Sequence, residues 1–369
     1  MKRRFFALTL VFAIVFTSLF SLTSCGEKYE HVESTEEEKT TVIKISYEKE
    51  KYEVSYELYR AFFLQYKSLV DGGNEEVWTG ADKESYENRI DELIYKSIAE
   101  IYAVFHLCDK AGINVYSNSF DKQIEEAREN SIDGDTQNGG FGGDFSKYLE
   151  ALKKINHNDS TATLIMRYHL ARQSLLEYYV GALDDDDINE ESKPGTIKYT
   201  KDEVQAFYLN PESSRRIIKV EFPEHLTKAQ AEEKRTALTK IVNDPEKDFT
   251  DVIIYIANQT LANPVSEVIG RYTYDTLYYS DMTEAAFSIG EGQVSELIAL
   301  NTGDFGGYSV VYRLPADADF FEDNYDSIVD AYLLDKFGQI VANTASNIIE
   351  AIEETDTLKT LDRSKVSMN

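Results

Sequence analysis

The chain has 369 residues, and its acidic residues outnumber its basic residues by 66 to 38, which gives a formal net charge of −28. This length is sufficient for two or three domains with sizeable cores. The acidic balance argues against a nucleic-acid-binding protein, which needs a basic surface, and against a body that lies flat on anionic lipids. We therefore expect no nucleic-acid partner.

Residues 1–24 have the pattern of an export signal. The basic start MKRRFF is followed by the apolar stretch ALTLVFAIVFTSLFSL, which is too short for a confident membrane span, and LTSC closes the segment. This ending resembles a bacterial lipobox, which implies cleavage before Cys25 and a diacylglycerol on its sulfur. The protein would then be anchored by lipid to the extracytoplasmic face of the bacterial cell membrane. The alternatives are an uncleaved anchor or a plain signal peptide with a coincidental cysteine.

The mature N-terminal part is predicted to be a tether followed by a mainly helical domain. Residues 25–41 are acidic and lack apolar periodicity, which is typical of a flexible tether. Within residues 42–183, Val42, Ile43 and Ile45 indicate a short strand. Apolar spacing then predicts five helices. The first begins at Ser55, and the other four lie at about 85–110, 119–130, 145–154 and 159–182. Cys108 lies on the apolar face of the second helix, and we expect a small buried side chain there.

The chain changes character after an acidic linker at 184–199. Residues 200–316 predict a short helix capped by Thr200, a strand at 215–222, a helix capped by Thr227, a further helical segment, and then a helix followed by two strands. Residues 317–356 contain a long amphipathic helix, predicted at 323–353, which we expect to pack on the first helical domain. Residues 357–369 are interpreted as a tail.

Two stretches of the 200–316 region resemble the parvulin-type peptidyl-prolyl isomerases. The segment SDMTEAAFSIGEGQVSELI, 280–298, matches a helix ending in Ala-Ala-Phe and a Gly-x-Val-Ser turn, and GGYSVVYRL, 306–314, matches the closing strand. Over about 42–353, the layout resembles the PrsA and SurA group of exported foldases. The resemblance implies an α+β fold, with a helical chaperone lobe built from the N-terminal helices and the long C-terminal helix, and a small parvulin-like α/β domain.

The resemblance also locates the polar network of active parvulins, and this chain departs from it. The two usual histidines map to Arg216, give or take one residue, and to Ser309, while the usual Asp or Cys maps to a segment that contains Asn258. The apolar positions of the peptide-binding pocket map to Tyr278, Met282 and Phe287. Prolyl isomerisation crosses a barrier of about 20 kcal/mol, so loss of this network predicts a weak or inactive site.

Other candidate sites have weaker signals. The five histidines lack metal-ligand spacing, and no cofactor or metal is expected. The loop at 133–144 places Asp133, Asp135 and Asp144 almost as in a calcium loop, but Asn138 stands where glycine is needed and the last ligand is not Glu. We interpret this loop as a turn, and calcium binding stays open. The 25 tyrosines predict core packing or an amphipathic surface that holds unfolded segments.

Together these features predict a membrane-anchored extracytoplasmic foldase or chaperone that holds unfolded exported polypeptides. Whether the chain is also an enzyme stays open, because a peptidyl-prolyl isomerase of the parvulin type would lack both usual histidines. One alternative is a ligand-binding or adaptor lipoprotein that docks one folded partner. A second alternative is an active peptidyl-prolyl cis-trans isomerase with an unusual site. The sequence does not determine the clients or the oligomeric state, including whether the chain forms a dimer.

Overall fold

The computed structural model of the chain describes residues 28–136, 139–181, 195–223, 225–259, 264–272, 281–302 and 305–368. The chain divides into unit 1, formed by Met1–Leu176 and Val341–Asn369, and unit 2, formed by Glu177–Ile340. Both units combine helices with a small antiparallel sheet, so the predicted α+β class is confirmed. Within the described ranges, no helix is both long enough and apolar enough to cross a membrane. Cys25, Asn138 and Tyr278 lie outside the described residues.

Unit 1 contains a three-stranded sheet. Strands β1 (Thr41–Tyr47) and β2 (Glu50–Ser55) form a hairpin, and β7 (Ile352–Glu354) pairs with the other side of β1. The helices of this unit are α1 (Tyr56–Asp71), α2 (Lys83–Lys110), α3 (Asn118–Asp133), α4 (Phe145–Lys154), α5 (Asp159–Tyr179) and α12 (Asp356–Lys359). Helix α5 continues into unit 2.

The core of unit 1 forms along the predicted apolar stripe of α2. Ile90, Ile94, Ile98 and Cys108 of this helix are all fully buried. Burial raises the pKa of the Cys108 thiol to about 12, so this thiol is a packed side chain and has little thiolate at neutral pH. The stripe therefore does what its spacing predicts, since it packs one face of the helix into the interior.

The C-terminal residues of unit 1 that were predicted to be a tail, 357–369, include regular structure. After α12, a short 3-10 helix covers Arg363–Lys365, and the Arg363 side chain is buried. Its Nη2 donates to Asp91 Oδ2 at 2.5 Å, and its Nε donates to the Tyr59 hydroxyl at 3.2 Å. Tyr59 also donates to Asp91 Oδ1 at 2.8 Å, so a closed polar network joins the end of the chain to α1 and α2.

Unit 2 contains a four-stranded antiparallel sheet with the order β4-β3-β6-β5. Its strands are β3 (Ser214–Glu221), β4 (Ser266–Gly270), β5 (Ile298–Thr302) and β6 (Phe305–Leu314). Its helices are α6 (Lys201–Leu209), α7 (Lys228–Val242), α8 (Phe249–Gln259), α9 (Asp281–Ser288), α10 (Ala318–Asp323) and α11 (Tyr325–Glu350), which continues into unit 1. Thr200 and Thr227 cap α6 and α7 as predicted, each in a capping box.

Alternation along the strands gives the unit 2 sheet two different faces. On the first, which we call the α7–α8 face, strand residues such as Ile218 and Val310 pack with Leu238 of α7 and Ile256 of α8. On the second, which we call the α9 face, the buried strand residues pack with Ala286 of α9; they are Ile217, Ile269, Ile298 and Val311. The candidate site residues can therefore be sorted by the face on which they lie.

Candidate functional site

Ser309 lies on β6 at the α9 face, opposite Glu221 of β3 and Ile298 of β5. Its side chain is fully buried, and its hydroxyl has no hydrogen-bond partner in the described part of the chain. The polar neighbours on the same face of β3 are Glu221 and, two residues away, Lys219. These two are paired with each other, with Nζ and Oε1 2.5 Å apart. The position that the resemblance assigns to a histidine thus holds an isolated hydroxyl.

Arg216 lies on the opposite, α7–α8 face, since it shares the alternation of Ile218 and pairs in register with Leu314. Its Nε donates to Ser266 Oγ at 2.9 Å, and its guanidinium lies 3.9 Å from the centre of the Phe320 ring. The Arg216 side chain therefore contacts neighbouring residues of the fold, and it lies on the other side of the sheet from Ser309.

Asn258 is exposed in the last turn of α8, a helix that packs on the α7–α8 face. The adjacent Gln259 accepts a hydrogen bond from Lys234 Nζ. Asn258 and Ser309 are consequently on opposite sides of the sheet. The structure does not bring Arg216, Asn258 and Ser309 together in one pocket.

The predicted peptide-binding positions Met282 and Phe287 both lie on α9 and pack against the apolar core of the α9 face. Two guanidinium groups lie over the Phe287 ring, that of Arg215 at 4.4 Å and that of Arg271 at 4.8 Å from the ring centre. These are cation–π distances. Phe287 therefore contacts arginines as well as the core, an arrangement that an apolar prolyl pocket alone does not predict.

A third arginine joins these two because of the strand register. Arg271 follows β4 directly and pairs with Ser213, so it is a diagonal neighbour of Arg215 on the α9 face. Arg313 of β6 pairs with Ile217 and is the diagonal neighbour of Arg215 on the other side. We call Arg215, Arg271 and Arg313 the arginine triad. The sequence offers only scattered arginines, and the row exists only once β4 pairs with β3.

The charges around the triad are unevenly balanced. Arg271 pairs with Glu212 at 3.3 Å, and Arg313 lies 3.6 Å from Glu291 and donates from Nη1 to a backbone carbonyl at 2.7 Å. Arg215 is 6% exposed, and no ion pair joins it to a carboxylate within the described ranges. Burial, followed by repulsion from Arg313, lowers its pKa below the usual arginine value.

The described residues contain no group of three or more His, Cys, Asp or Glu placed to hold a metal ion. In the loop that resembles a calcium site, Asp133 accepts hydrogen bonds from Lys28 Nζ and the Tyr29 hydroxyl, both at 2.7 Å. Asp144 caps α4 by accepting from the Lys147 N–H at 3.1 Å. These contacts give both carboxylates structural partners within the protein.

No protein-family model matches the chain, and no curated protein matches it. Among solved structures, it is similar to the crystal structure of PrsA from Bacillus subtilis, with 14% identity, coverage of 77% of this chain and 93% of that chain, and a TM-score of 0.23. It is also similar to the crystal structure of the foldase protein PrsA from Lactococcus lactis, with 12% identity, coverage of 89% and 100%, and a TM-score of 0.24.

Proposed function

We propose that this protein is a lipid-anchored extracytoplasmic chaperone that holds unfolded exported polypeptides and has little or no prolyl isomerase activity. The observation that carries the proposal is the environment of Ser309. This buried hydroxyl has no hydrogen-bond partner among the described residues, and the charged pair beside it, Lys219 and Glu221, is closed on itself.

The chemistry of isomerisation explains why this environment matters. Catalysis has to weaken the partial double bond of the X–Pro amide, whose barrier is about 18–20 kcal/mol. A hydrogen-bonded polar network beside a proline pocket can contribute to this. In unit 2 the sequence contains one histidine, His225, which is exposed before α7. A histidine-based network on the α9 face is therefore absent from the described part of the unit.

Exposed apolar side chains support the holding function. In unit 2, Phe249 and Ile254 of α8 are 50% and 55% exposed, and Val265, just before the edge strand β4, is 71% exposed. In unit 1, Leu69 and Tyr116 are 56% and 62% exposed. In the proposed complex, side chains of this kind would contact apolar segments of the client, and the strongly acidic surface would keep the complex soluble. The lipobox-like ending at Cys25 supports placement at the extracytoplasmic face of the membrane.

Two assays on the chain that follows the signal segment test the proposal. In a protease-coupled isomerisation assay with a proline-containing tetrapeptide, we expect the uncatalysed rate. In light-scattering assays, we expect stoichiometric amounts to suppress aggregation of several unrelated denatured proteins. Robust turnover that is lost in Met282→Ala would instead identify an active isomerase with an unusual site. Protection of no client, with tight binding of one folded protein, would identify an adaptor.

A further inference from the structure

The arginine triad places like charges side by side on one face of a sheet, which is unfavourable unless something compensates for it. Two of its members have a compensating carboxylate, because Glu212 pairs with Arg271 and Glu291 lies near Arg313. The central member has no ion pair of its own within the described ranges, and Glu212 and Glu291 offset its charge only through longer-range attraction. Arg215 lies between the other two in the sheet register, so it experiences repulsion from both.

The hydrogen bonds of Arg215 are also incomplete. Its Nη1 donates to the carbonyl of Ser214 at 3.1 Å, and its Nε is buried without an acceptor among the described residues. A guanidinium has five N–H donors in a fixed planar fork, and a buried one is normally paired with an anion. At 6% exposure, water cannot easily replace that anion. The stacking on Phe287 satisfies the face of the guanidinium but leaves its edge available.

A small cavity lies next to Arg215. Its volume is about 20 Å³, and both Arg215 and Arg313 line it, together with Tyr208 and the single carboxylate Glu291. A cavity of this size admits one water-sized polar group. Arg216 also lines it, but this arginine is already engaged with Asp317 and Phe320.

We propose that this pocket, which we call the Arg215 pocket, binds a carboxylate group of an extended polypeptide. A carboxylate matches the planar fork of a guanidinium, and its oxygen fits a cavity that takes one small polar group. A singly charged group also suits a lining in which Glu291 partly offsets the arginines. The inference rests on the proposed function, because it assigns an acidic group to the segments that the chaperone holds. In a chain of net charge −28, such a pocket would let clients with acidic residues bind despite the overall repulsion.

Fluorescence polarisation with matched peptides tests this proposal on the full chain after the signal segment. The probe is a fluorescein-labelled, amidated apolar peptide with one central Glu, and its twin carries Gln. We expect the Glu peptide to bind about tenfold more tightly, since the Gln twin keeps an acceptor oxygen but loses the negative charge that strengthens its hydrogen bond to the guanidinium. A third peptide, with Gln and a free C-terminal carboxylate, distinguishes a side-chain carboxylate from a terminal one.

The decisive variant is Arg215→Gln, with Arg235→Gln as the matched control because Arg235 lies on α7 and is paired with Glu232. We expect Arg215→Gln to abolish the preference for the acidic peptides and to leave the Tm of the free protein unchanged or raised, since an unpaired buried charge is removed. Arg235→Gln should retain the preference. A large loss of Tm in Arg215→Gln would overturn the proposal, because the charge would then be paired inside the folded chain.

Three further outcomes are informative. Inorganic phosphate that displaces the Glu peptide far better than acetate at equal ionic strength would overturn the carboxylate assignment in favour of a phosphate site. If the wild-type chain suppresses aggregation but shows no Glu preference, the Arg215 pocket is refuted and the holding function stands. If the wild-type chain suppresses no aggregation, the proposed function fails whatever the peptides show.

Discussion

Replacement of Ser309 by alanine gives a quantitative test of the candidate site. The hydroxyl has zero exposure and no described partner, so folding removes it from water without a replacement hydrogen bond. Such burial costs about 1–3 kcal/mol, whereas the Cβ that remains in alanine preserves most of the packing. We therefore expect Ser309→Ala to raise the free energy of unfolding by about 1 kcal/mol.

A nearby serine supplies the matched control. Ser295 is equally buried, but its hydroxyl donates to the Glu296 carbonyl at 2.8 Å and accepts from the Val311 N–H at 2.9 Å. Ser295→Ala should therefore destabilise by about 1–2 kcal/mol. Urea unfolding should be followed by circular dichroism, because the single tryptophan, Trp78, lies in unit 1. If Ser309→Ala destabilises as much as the control, the hydroxyl is hydrogen-bonded in the folded protein and our description of the site is wrong.

Three further predictions concern the rest of the fold. Burial lowers the pKa of His157 to about 4, so between pH 6.5 and about 4 the unfolded chain binds a proton that the folded chain does not. Up to about 3 kcal/mol of stability should therefore be lost as the pH falls from 6.5 to 4. The urea midpoint should depend less on pH in His157→Gln. Gly270→Ala should lower stability by about 1–3 kcal/mol, because its Cβ would lie 2.5 Å from an aspartate side chain of α11. Gly290→Ala should cost less, because its Cβ would meet only a flexible glutamine side chain, and thermal melts of the two variants give the comparison. Arg363→Ala should lower stability by about 3 kcal/mol, because Asp91 stays buried without its cation. Unfolding of the variants should be followed by tryptophan fluorescence, and a smaller loss of stability in Arg363→Lys would support the role of the charge.

The helices of this protein follow closely from local sequence. Helix α4 has the predicted bounds, and Thr200 and Thr227 start α6 and α7, because capping and apolar spacing act over a few residues. Strands β2 and β4 were not predicted, since both are short and carry charged residues, and their pairing with a neighbour defines them. The C-terminal network also escaped prediction, because Arg363 and Asp91 are 272 positions apart.

The candidate site shows the same division between local and long-range information. The closing strand that contains Ser309 was predicted, and the structure has β6 there. The first usual histidine of the parvulins maps to Arg216 only to within one residue. In a strand, a shift of one residue moves the side chain to the other face of the sheet. The arginine triad could not be predicted, because Arg215 and Arg271 become neighbours only through the pairing of β3 with β4.

The central claim is that the protein holds unfolded chains without isomerising their prolines. The most direct measurement is the refolding of a denatured client whose slow phase is limited by prolyl isomerisation, with light scattering and the slow-phase rate recorded together. Our account predicts less scattering at stoichiometric amounts and an unchanged rate of the slow phase. A slow phase that is accelerated by catalytic amounts of the protein would contradict it.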